Sequence, residues 1–395
     1  MDYSKKVSRV ASTIKPSGIR KFFDLANQME GVISLGVGEP DFTTPWKIRE
    51  AAIYSIEKGK TFYTANRGLI ALREEISNYY QRRFNVRYDP EKEIIVTAGG
   101  SEGIDIATRA LINPGDEMII LDPGYVAYEP AVILSGGVPV HINLEEKDQF
   151  KLTPEKLKNA ITDKTKVLLI NYPSNPTGGF MTKEDYQKLV PIIKESGIIV
   201  ISDEIYAELS YEETPASLAS FPEIRDQIIV ISGFSKAFAM TGWRLGYVLA
   251  NPVLSKAMCK IHQYIMMSAP IAAQYGAIDG LRYCQEEVEE MRQAYEARRN
   301  FCVTEFNDMG LKTFKPHGAF YVFPCIKSTG MTSEEFCEAL LNDQKVACVP
   351  GNAFGESGEG FIRVSYAYSL EELKEATSKI RIFLDKLRKE GKMKD

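Results

Sequence analysis

The chain has 395 residues, 44% of them hydrophobic, and a formal net charge of −5. This length predicts two or three domains of about 150 residues each, and because no basic stripe is visible we expect no nucleic-acid partner. No run approaches the roughly 18 apolar residues that span a bilayer, and no signal-like apolar stretch follows the first lysines. The six cysteines form no CxxC pair, which argues against a metal site. We therefore expect a cytoplasmic protein.

Short apolar runs alternate with helix-length stretches from about residue 90. The runs are rich in Ile and Val and end in Gly, Pro, Ser, Asn or Asp, which is typical of strands buried on both faces. The predicted strands are Ile94–Ala98, Met118–Leu121, Val138–Ile142, Val167–Asn171, Ile198–Ser202 and Ile228–Ile231. A helix over Lys183–Glu195, opened by Thr182, lies between two of them. The alternation predicts an α/β domain with a mostly parallel sheet.

The pattern changes after Pro252. A long charged helix is predicted over roughly Gln285–Met309, and it leads to a separate segment containing Ala319–Pro324 and Gly360–Tyr366. We interpret this last third, together with the N-terminal arm, as a smaller α+β domain. The predicted division is a large domain of residues 46–285 and a small domain of residues 1–45 and 286–395.

Polar residues follow four of the predicted strands, where an open α/β sheet binds its ligands. After the first strand, the segment from Gly99 to Gly103 precedes a helix predicted over Ile104–Leu111. Free N–H groups at such a helix start favour a phosphate, although a tight turn with no ligand is equally consistent with the residues. After Val167–Asn171, two prolines make a rigid turn that either ends the strand or holds the Asn175 amide towards a ligand.

Asp203 and Lys236 follow two further strands. A buried carboxylate is costly unless it caps a helix or meets a cation, and both alternatives are open for Asp203. A lone lysine is usually surface charge, but Lys236 directly follows a buried strand among small and apolar residues. Burial lowers a lysine pKa, as Schiff-base chemistry requires. A phosphate nest, a carboxylate and such a lysine together match pyridoxal phosphate, which carries a phosphate, a basic ring nitrogen and an aldehyde.

The chain resembles the class I/II aminotransferases of the fold-type-I pyridoxal-phosphate enzymes. Its similarity is greatest to the bacterial subgroup that holds aspartate, aromatic and N-acetyl-diaminopimelate aminotransferases. The matching segments run in order from about residue 17 to residue 367. They are SGIRKF, GEPDF, YTANRGLIALRE, TAGGSEGID, DPGYVAY, YPSNPTGG, SDEIYAEL, GFSKAFAMTGWRLGY and FIRVSYA.

The resemblance implies the chemistry of the cofactor ring. Lys236 would hold pyridoxal 5'-phosphate as a Schiff base and move the proton at the substrate Cα. Asp203 would pair with the ring nitrogen and keep it protonated. Tyr206 and Asn175 would hydrogen-bond the ring oxygen, and Tyr125 would stack on the ring. The implied reaction is a ping-pong transfer of an amino group from an L-amino acid to a 2-oxo acid.

The resemblance also implies how the phosphate and the substrate are held in a homodimer. Arg363, helped by the Gly38 N–H and by Asn175, would bind the substrate α-carboxylate. Ser235 departs from the family pattern, because many relatives place the phosphate-binding serine two positions earlier, where this chain has Gly233. The implied phosphate contacts are the backbone groups of Gly100, Ser101 and Glu102, the side chains of Ser235 and Arg244, and Tyr63 of the partner subunit.

The sequence shows no cation that would bind a second carboxylate on the substrate side chain. Some aspartate-using members of the subgroup place a lysine where Ser101 aligns, and the segment Tyr264–Pro270, which approaches the neighbouring site in similar proteins, is apolar. We expect a tolerant enzyme that uses aromatic or other neutral donors at least as well as aspartate, with 2-oxoglutarate as acceptor. The apolar segment is also consistent with dimer packing alone.

Three alternatives compete with this interpretation. A C–S lyase or a 1-aminocyclopropane-1-carboxylate synthase of the same fold would share Lys236, Asp203 and Arg363. A transcriptional regulator built on an inactive aminotransferase would need a helix-turn-helix domain ahead of the fold, yet the resemblance begins near residue 17. An enzyme-like binding protein is disfavoured because all three reactive residues are intact.

Overall fold

The computed structural model describes residues 2–16, 18–19, 29–212 and 214–393. The described part of the chain contains twelve strands: β1 (Ile33–Ser34), β2 (Ile94–Thr97), β3 (Glu117–Asp122), β4 (Val138–Asn143), β5 (Thr165–Asn171), β6 (Ile199–Asp203), β7 (Ile228–Gly233), β8 (Gly246–Leu249), β9 (Tyr321–Val322), β10 (Val346–Ala347), β11 (Val349–Pro350) and β12 (Ile362–Ser365). Its α-helices are α1 (Arg9–Thr13), α2 (Trp46–Glu57), α3 (Ile70–Phe84), α4 (Gly100–Leu111), α5 (Tyr128–Leu134), α6 (Pro154–Ala160), α7 (Lys183–Ser196), α8 (Pro252–Ile265), α9 (Ile271–Tyr283), α10 (Gln285–Asp308), α11 (Ser333–Gln344) and α12 (Leu370–Lys389). Among these described helices, none combines the length and the apolar character that crossing a membrane requires.

A seven-stranded sheet in the order β2-β8-β7-β6-β5-β3-β4 forms the centre of the molecule. Strand β8 runs antiparallel to both β2 and β7, and the other neighbouring pairs are parallel. The predicted α/β class with a mostly parallel sheet is therefore confirmed, and the six predicted strands correspond to β2–β7. The prediction missed β8, whose four residues carry no alternation or turn signal strong enough to mark a strand.

The strands are apolar on both faces because a separate core lies on each side of the sheet. Along β7, Ile228 and Val230 join one hydrophobic cluster, whereas Ile229 and Ile231 join the other. Strand β4 is different, since it lies at the edge of the sheet and Val138 is 46% exposed. The prediction that this strand is buried on both faces was wrong, because an edge strand is not covered completely by neighbouring helices.

Helix boundaries agree with the predictions except at α4. Helix α7 begins after Thr182, whose hydroxyl accepts from the Asp185 N–H at 3.2 Å while the Asp185 carboxylate accepts from the Thr182 N–H. Helix α10 ends at Asp308, one residue before the predicted end. Helix α4 begins at Gly100 rather than at Ile104. The early start brings Gly100 and Ser101 into the first helical turn, where N–H groups lack helical acceptors.

Two small sheets bring the two ends of the chain together. Strand β1 pairs in parallel with β10, so residues 33–34 lie beside residues 346–347. Strands β11, β12 and β9 form an antiparallel sheet in that order. The SGIRKF segment and the N-terminal part of the predicted small domain include residues 17 and 20–28, which lie outside the described residues.

Candidate active site

A cavity of about 330 Å³ opens at the carboxyl ends of β5, β6 and β7. The start of α4 and strand β12 complete its walls. The lining residues described by the structure are Ile19, Gly38, Glu39, Gly100, Ser101, Ile104, Tyr125, Tyr128, Asn171, Asn175, Asp203, Ile205, Tyr206, Ser235, Lys236, Thr241, Arg244, Tyr321 and Arg363. The fold thus brings eleven of the thirteen predicted site residues to one cavity, and leaves Glu102 and Tyr63 outside the lining.

Asp203 is the last residue of β6 and lies beside Asn171, the last residue of β5. One carboxylate oxygen accepts from the Tyr128 hydroxyl at 2.8 Å, and the other accepts from the Ile205 N–H at 3.1 Å. Burial raises the pKa of Asp203 to about 6, even though both hydrogen bonds and the charge of Lys236 act in the opposite direction. The helix-cap alternative is wrong, because residues 205–208 form a turn instead of a helix.

Lys236 lies three residues beyond the end of β7 and is half-buried. Its Nζ donates to the Gly38 carbonyl at 2.5 Å and lies 5.8 Å from the ring centre of Tyr206. Burial lowers the pKa of Lys236 to about 8, and the positive charges of Arg363 and Arg244 act in the same direction. A lysine with this pKa has an appreciable neutral fraction near pH 7–8, which is the form that attacks an aldehyde.

The rim near α4 offers an anion several donors. The first-turn residues Gly100 and Ser101 face the cavity, and the hydroxyl-bearing Ser235 is buried beside them. Arg244 is exposed at this rim, with Nη1 donating to the Thr241 carbonyl at 3.0 Å. A Cβ at Gly233 would lie 2.9 Å from both Gly246 Cα and the Leu245 carbonyl oxygen, so the sheet has no room for a serine at that position.

Arg363 of β12 lines the cavity and is 2% exposed. Its Nη1 donates to Asn175 Oδ1 at 2.9 Å, and its Nη2 donates to the Gly36 carbonyl. Its Nε has no hydrogen-bond partner among the described residues, and no described carboxylate forms an ion pair with it. Burial lowers the pKa of Arg363. A buried guanidinium without an anion is the arrangement that a carboxylate ligand would complete.

Aromatic residues form the remaining wall. Tyr125 is half-buried and packs edge-on against Tyr128, with ring centres 5.5 Å apart. The Tyr206 hydroxyl lies 2.9 Å from the Tyr321 hydroxyl, and both rings are buried. Sequence reasoning assigned no role to Tyr128 or Tyr321. The only signal for Tyr128 was its position three residues after Tyr125, and no local pattern marked Tyr321.

Two predicted residues lie elsewhere. The Glu102 side chain folds back, accepting from the Ala98 N–H at 2.5 Å and contacting His262 Nδ1 at 2.5 Å. Glu102 was predicted to contact the phosphate through its backbone, and the position of its side chain does not affect that prediction. Tyr63 is 81% exposed on a loop of its own chain.

The described residues fit pyridoxal phosphate on their own chemistry. The Asp203 carboxyl is buried without an ion-pair partner among the described basic residues, so a protonated ring nitrogen would supply the missing cation. Lys236 has the lowered pKa that a Schiff-base lysine needs, and the first turn of α4 offers N–H groups to a phosphate. These three features lie around one cavity.

Comparison with known proteins gives a consistent picture. The family model for aminotransferases of class I and II matches residues 30–380. The chain is 54% identical to the Bacillus subtilis protein YugH, over 96% of this chain and 98% of that one. It is 44% identical to an aspartate aminotransferase of Pyrococcus abyssi, over 93% and 95%. Its structure is similar to that of an aromatic aminotransferase of Pyrococcus horikoshii, with a TM-score of 0.89, 41% identity, and coverage of 94% and 99%.

Proposed function

This chain belongs to the class I and II aminotransferases, which are pyridoxal-phosphate enzymes, and we propose that it transfers the amino group of aromatic or other neutral L-amino acids to 2-oxoglutarate. Aspartate is proposed as a donor that it uses no better than these. The alternative of a C–S lyase or of a cyclopropane-forming synthase is not favoured, because the relatives named above for their activity are aminotransferases.

The observation that carries the donor proposal is the set of charges in the cavity. Three basic side chains line it in the part of the chain that the structure describes: Lys236, Arg244 and Arg363. Each of them already has a proposed partner in the cofactor or in the substrate α-carboxylate. No described basic side chain of the lining is then left to pair with a second carboxylate, such as that of aspartate, and the lining also contains the acidic Glu39. Burying a carboxylate without a cation costs free energy of desolvation, and a donor with an uncharged side chain avoids that cost.

We assign the residues as follows. Arg363 binds the α-carboxylate of the amino acid, assisted by Asn175 and by the backbone of Gly38. Lys236 would hold the cofactor and would move the proton at the substrate Cα. When bound, pyridoxal phosphate supplies an electron sink that lowers the energy of the carbanion formed at Cα. Asp203 maintains that sink, because its carboxylate stabilises a proton on the ring nitrogen.

The remaining residues hold the cofactor in place. Tyr206 and Asn175 are assigned to the ring oxygen, and Tyr125 to the ring face. The phosphate is assigned to the backbone of Gly100, Ser101 and Glu102, to the side chains of Ser235 and Arg244, and to Tyr63 of the partner subunit.

A homodimer is part of the proposal. Phe62, Tyr63 and Tyr264 are each at least 80% exposed, and such apolar surface is typical of an interface. The Asn66 side-chain amide donates to the Met267 carbonyl at 2.9 Å, so the loop with Tyr63 lies beside the apolar segment Tyr264–Pro270. We propose that this continuous surface packs on a second copy, that the enzyme works in the cytoplasm, and that the large and small domains divide at residues 45/46 and 285/286.

The donor proposal is tested by measuring kcat/KM for phenylalanine, tyrosine, alanine and aspartate with 2-oxoglutarate. We expect phenylalanine or tyrosine to equal or exceed aspartate. A preference for aspartate beyond ~100-fold, or ~2.7 kcal/mol in the transition state, would show that a cation reaches the substrate side chain and would contradict the proposal. Release of pyruvate and ammonia without an acceptor would indicate lyase chemistry instead.

A further inference from the structure

Tyr321 lies in the cavity, and the function proposed above gives it no role. It belongs to β9, and its backbone pairs with Ser365 of β12, two residues beyond Arg363. Its side chain is completely buried from solvent. A tyrosine in this position must satisfy its hydroxyl inside the protein, so the partners of that hydroxyl indicate what the residue does.

The Tyr321 side chain contacts two predicted functional groups at once. Its hydroxyl lies 2.9 Å from the Tyr206 hydroxyl, which is its one hydrogen-bond partner among the described residues. Its ring lies under the guanidinium of Arg363, with Cζ 4.6 Å from the ring centre. Phe354 covers Arg363 at a similar distance of 4.7 Å. The two rings confine the guanidinium plane, and this favours bidentate binding of a carboxylate.

The same hydroxyl lies against the backbone turn that contacts Lys236. A Cβ placed on Gly38 would come within 2.4 Å of the Tyr321 hydroxyl oxygen, so a larger residue at position 38 would displace this hydroxyl. The Gly38 carbonyl is also the acceptor for Lys236 Nζ. One aromatic side chain therefore contacts Arg363, Tyr206 and the turn that holds Lys236.

We propose that Tyr321 is a positioning residue that links the substrate-carboxylate site at Arg363 to the cofactor-oxygen site at Tyr206. The proposal rests on the roles proposed above for those two residues. It assigns the ring of Tyr321 to orienting Arg363, and its hydroxyl to orienting Tyr206.

The direction of the hydrogen bond between the Tyr321 and Tyr206 hydroxyls follows from the number of protons available. Tyr206 has one hydroxyl proton, and when that proton is donated to the ring oxygen of the cofactor, its oxygen can only accept. Tyr321 is placed to be the donor to it. A donor behind Tyr206 polarises its O–H bond and makes Tyr206 a stronger donor in turn. Removing the Tyr321 hydroxyl should therefore leave the anionic ring oxygen less stabilised, so the protonated form of the bound cofactor should persist to higher pH.

The ring and the hydroxyl can be tested separately in the holoenzyme. In Tyr321→Phe the ring stays and the hydroxyl is lost, so the pH midpoint of the visible cofactor band should rise by about half a unit to one unit. Binding of 3-phenylpropionate, an unreactive carboxylate, should stay within about twofold. In Tyr321→Leu the ring is lost as well, and binding of 3-phenylpropionate should weaken about tenfold.

The matched control is Tyr366→Phe. Tyr366 is another fully buried tyrosine, and its hydroxyl donates to the Ala319 carbonyl at 3.0 Å, outside the cavity. This variant should lose comparable stability without moving the pH midpoint or the affinity for 3-phenylpropionate. If it moves the midpoint as far as Tyr321→Phe does, the effect is general to buried tyrosines and the proposal is overturned.

Tyr206→Phe separates failure of this inference from failure of the proposed function. If Tyr206→Phe raises the midpoint and Tyr321→Phe does not, the role of Tyr321 is wrong and the assignment of Tyr206 stands. If neither variant moves the midpoint, Tyr206 does not bind the ring oxygen, and both the assignment of Tyr206 and this inference are overturned, while the donor proposal keeps its own test. The double variant should show a shift no larger than Tyr206→Phe alone, because Tyr321 acts through Tyr206.

Discussion

Arg363 Nη1 donates a hydrogen bond to Asn175 Oδ1 across 2.9 Å, and this contact joins the small sheet containing β12 to the loop that follows β5 of the central sheet. Both residues are buried. The contact fixes the guanidinium from one side while its Nε remains without a partner among the described residues. The group proposed to bind the substrate is thus held by the loop proposed to bind the cofactor.

Replacing Arg363 with lysine should weaken the use of amino acids selectively. Lysine keeps the charge but loses the planar pair of donors. Loss of one charged hydrogen bond, ~1.5–3 kcal/mol, should lower kcat/KM for the amino donor about 10- to 100-fold while the cofactor spectrum stays intact. Arg381→Lys, at the surface ion pair with Glu305, is the matched control and should have no effect. A parallel loss of bound cofactor in Arg363→Lys would indicate a structural role instead.

Replacing Lys236 with alanine should abolish the visible absorbance of covalently bound cofactor. Turnover should fall by at least ~10²–10⁴-fold, because the group assigned to move the proton at Cα is lost. Borohydride reduction of the native enzyme followed by peptide mapping should mark Lys236. Lys183→Ala, at the exposed start of α7, serves as the control and should be labelled normally. Labelling at another lysine in the native enzyme would show that the cofactor lysine has been misassigned.

Replacing Asp203 with asparagine should slow the half-reaction far more than it weakens cofactor binding. Asparagine is neutral and cannot hold a proton on the ring nitrogen, so the electron sink is weakened. The rate of cofactor conversion on mixing with an amino acid, followed by stopped-flow absorbance, measures this directly. Asp226→Asn, at a side chain that is 83% exposed, should leave the rate unchanged. Equal rates for Asp203→Asn and the native enzyme would exclude the proposed pairing.

The same substitution should stabilise the cofactor-free protein at high pH. Burial raises the pKa of Asp203 from 3.8 to about 6, so its ionisation disfavours the folded state. The protein keeps its full stability from this group below pH 3.8 and loses it as the pH rises through about 6. The loss above pH 6 is on the order of 2–3 kcal/mol. The free energy of unfolding in urea should therefore favour apo Asp203→Asn over the native apoprotein by a larger margin at pH 8 than at pH 4. An identical difference at the two pH values would argue that Asp203 is not desolvated.

The proposal that Tyr63 completes the active site of a partner subunit predicts complementation between inactive subunits. A Tyr63→Ala subunit lacks the residue that it would lend, and a Lys236→Ala subunit lacks its own cofactor lysine. In a mixed dimer one site would combine an intact Lys236 with an intact Tyr63 of the partner subunit. Refolding the two variants together at limiting cofactor should give more activity than the sum of the separate preparations. Merely additive activity would show that Tyr63 does not act across an interface.

Much of the fold and site followed from local patterns. The Ile- and Val-rich runs predicted β2–β7, because strands buried on both faces must be apolar throughout. The ends of those strands predicted Asn175, Asp203 and Lys236 as candidate residues, since parallel strands place their carboxyl ends along one edge. Family motifs added Tyr125, Arg244 and Arg363. Of the thirteen predicted site residues, eleven line one cavity.

Contacts between distant segments were decided only by the tertiary structure. Asn175 and Arg363 are 188 residues apart, and Tyr206 and Tyr321 are 115 residues apart. Apolar periodicity reports which face of a strand or helix is buried, but it does not say which side chain that face meets. The sequence alone therefore determined six of the seven strands of the central sheet and marked Lys236 and Asp203 as candidate residues at their ends. Packing of β9 and β12 against the cavity determined that Tyr321 lies between Arg363 and Tyr206, because that position depends on how the small sheet docks on the central one.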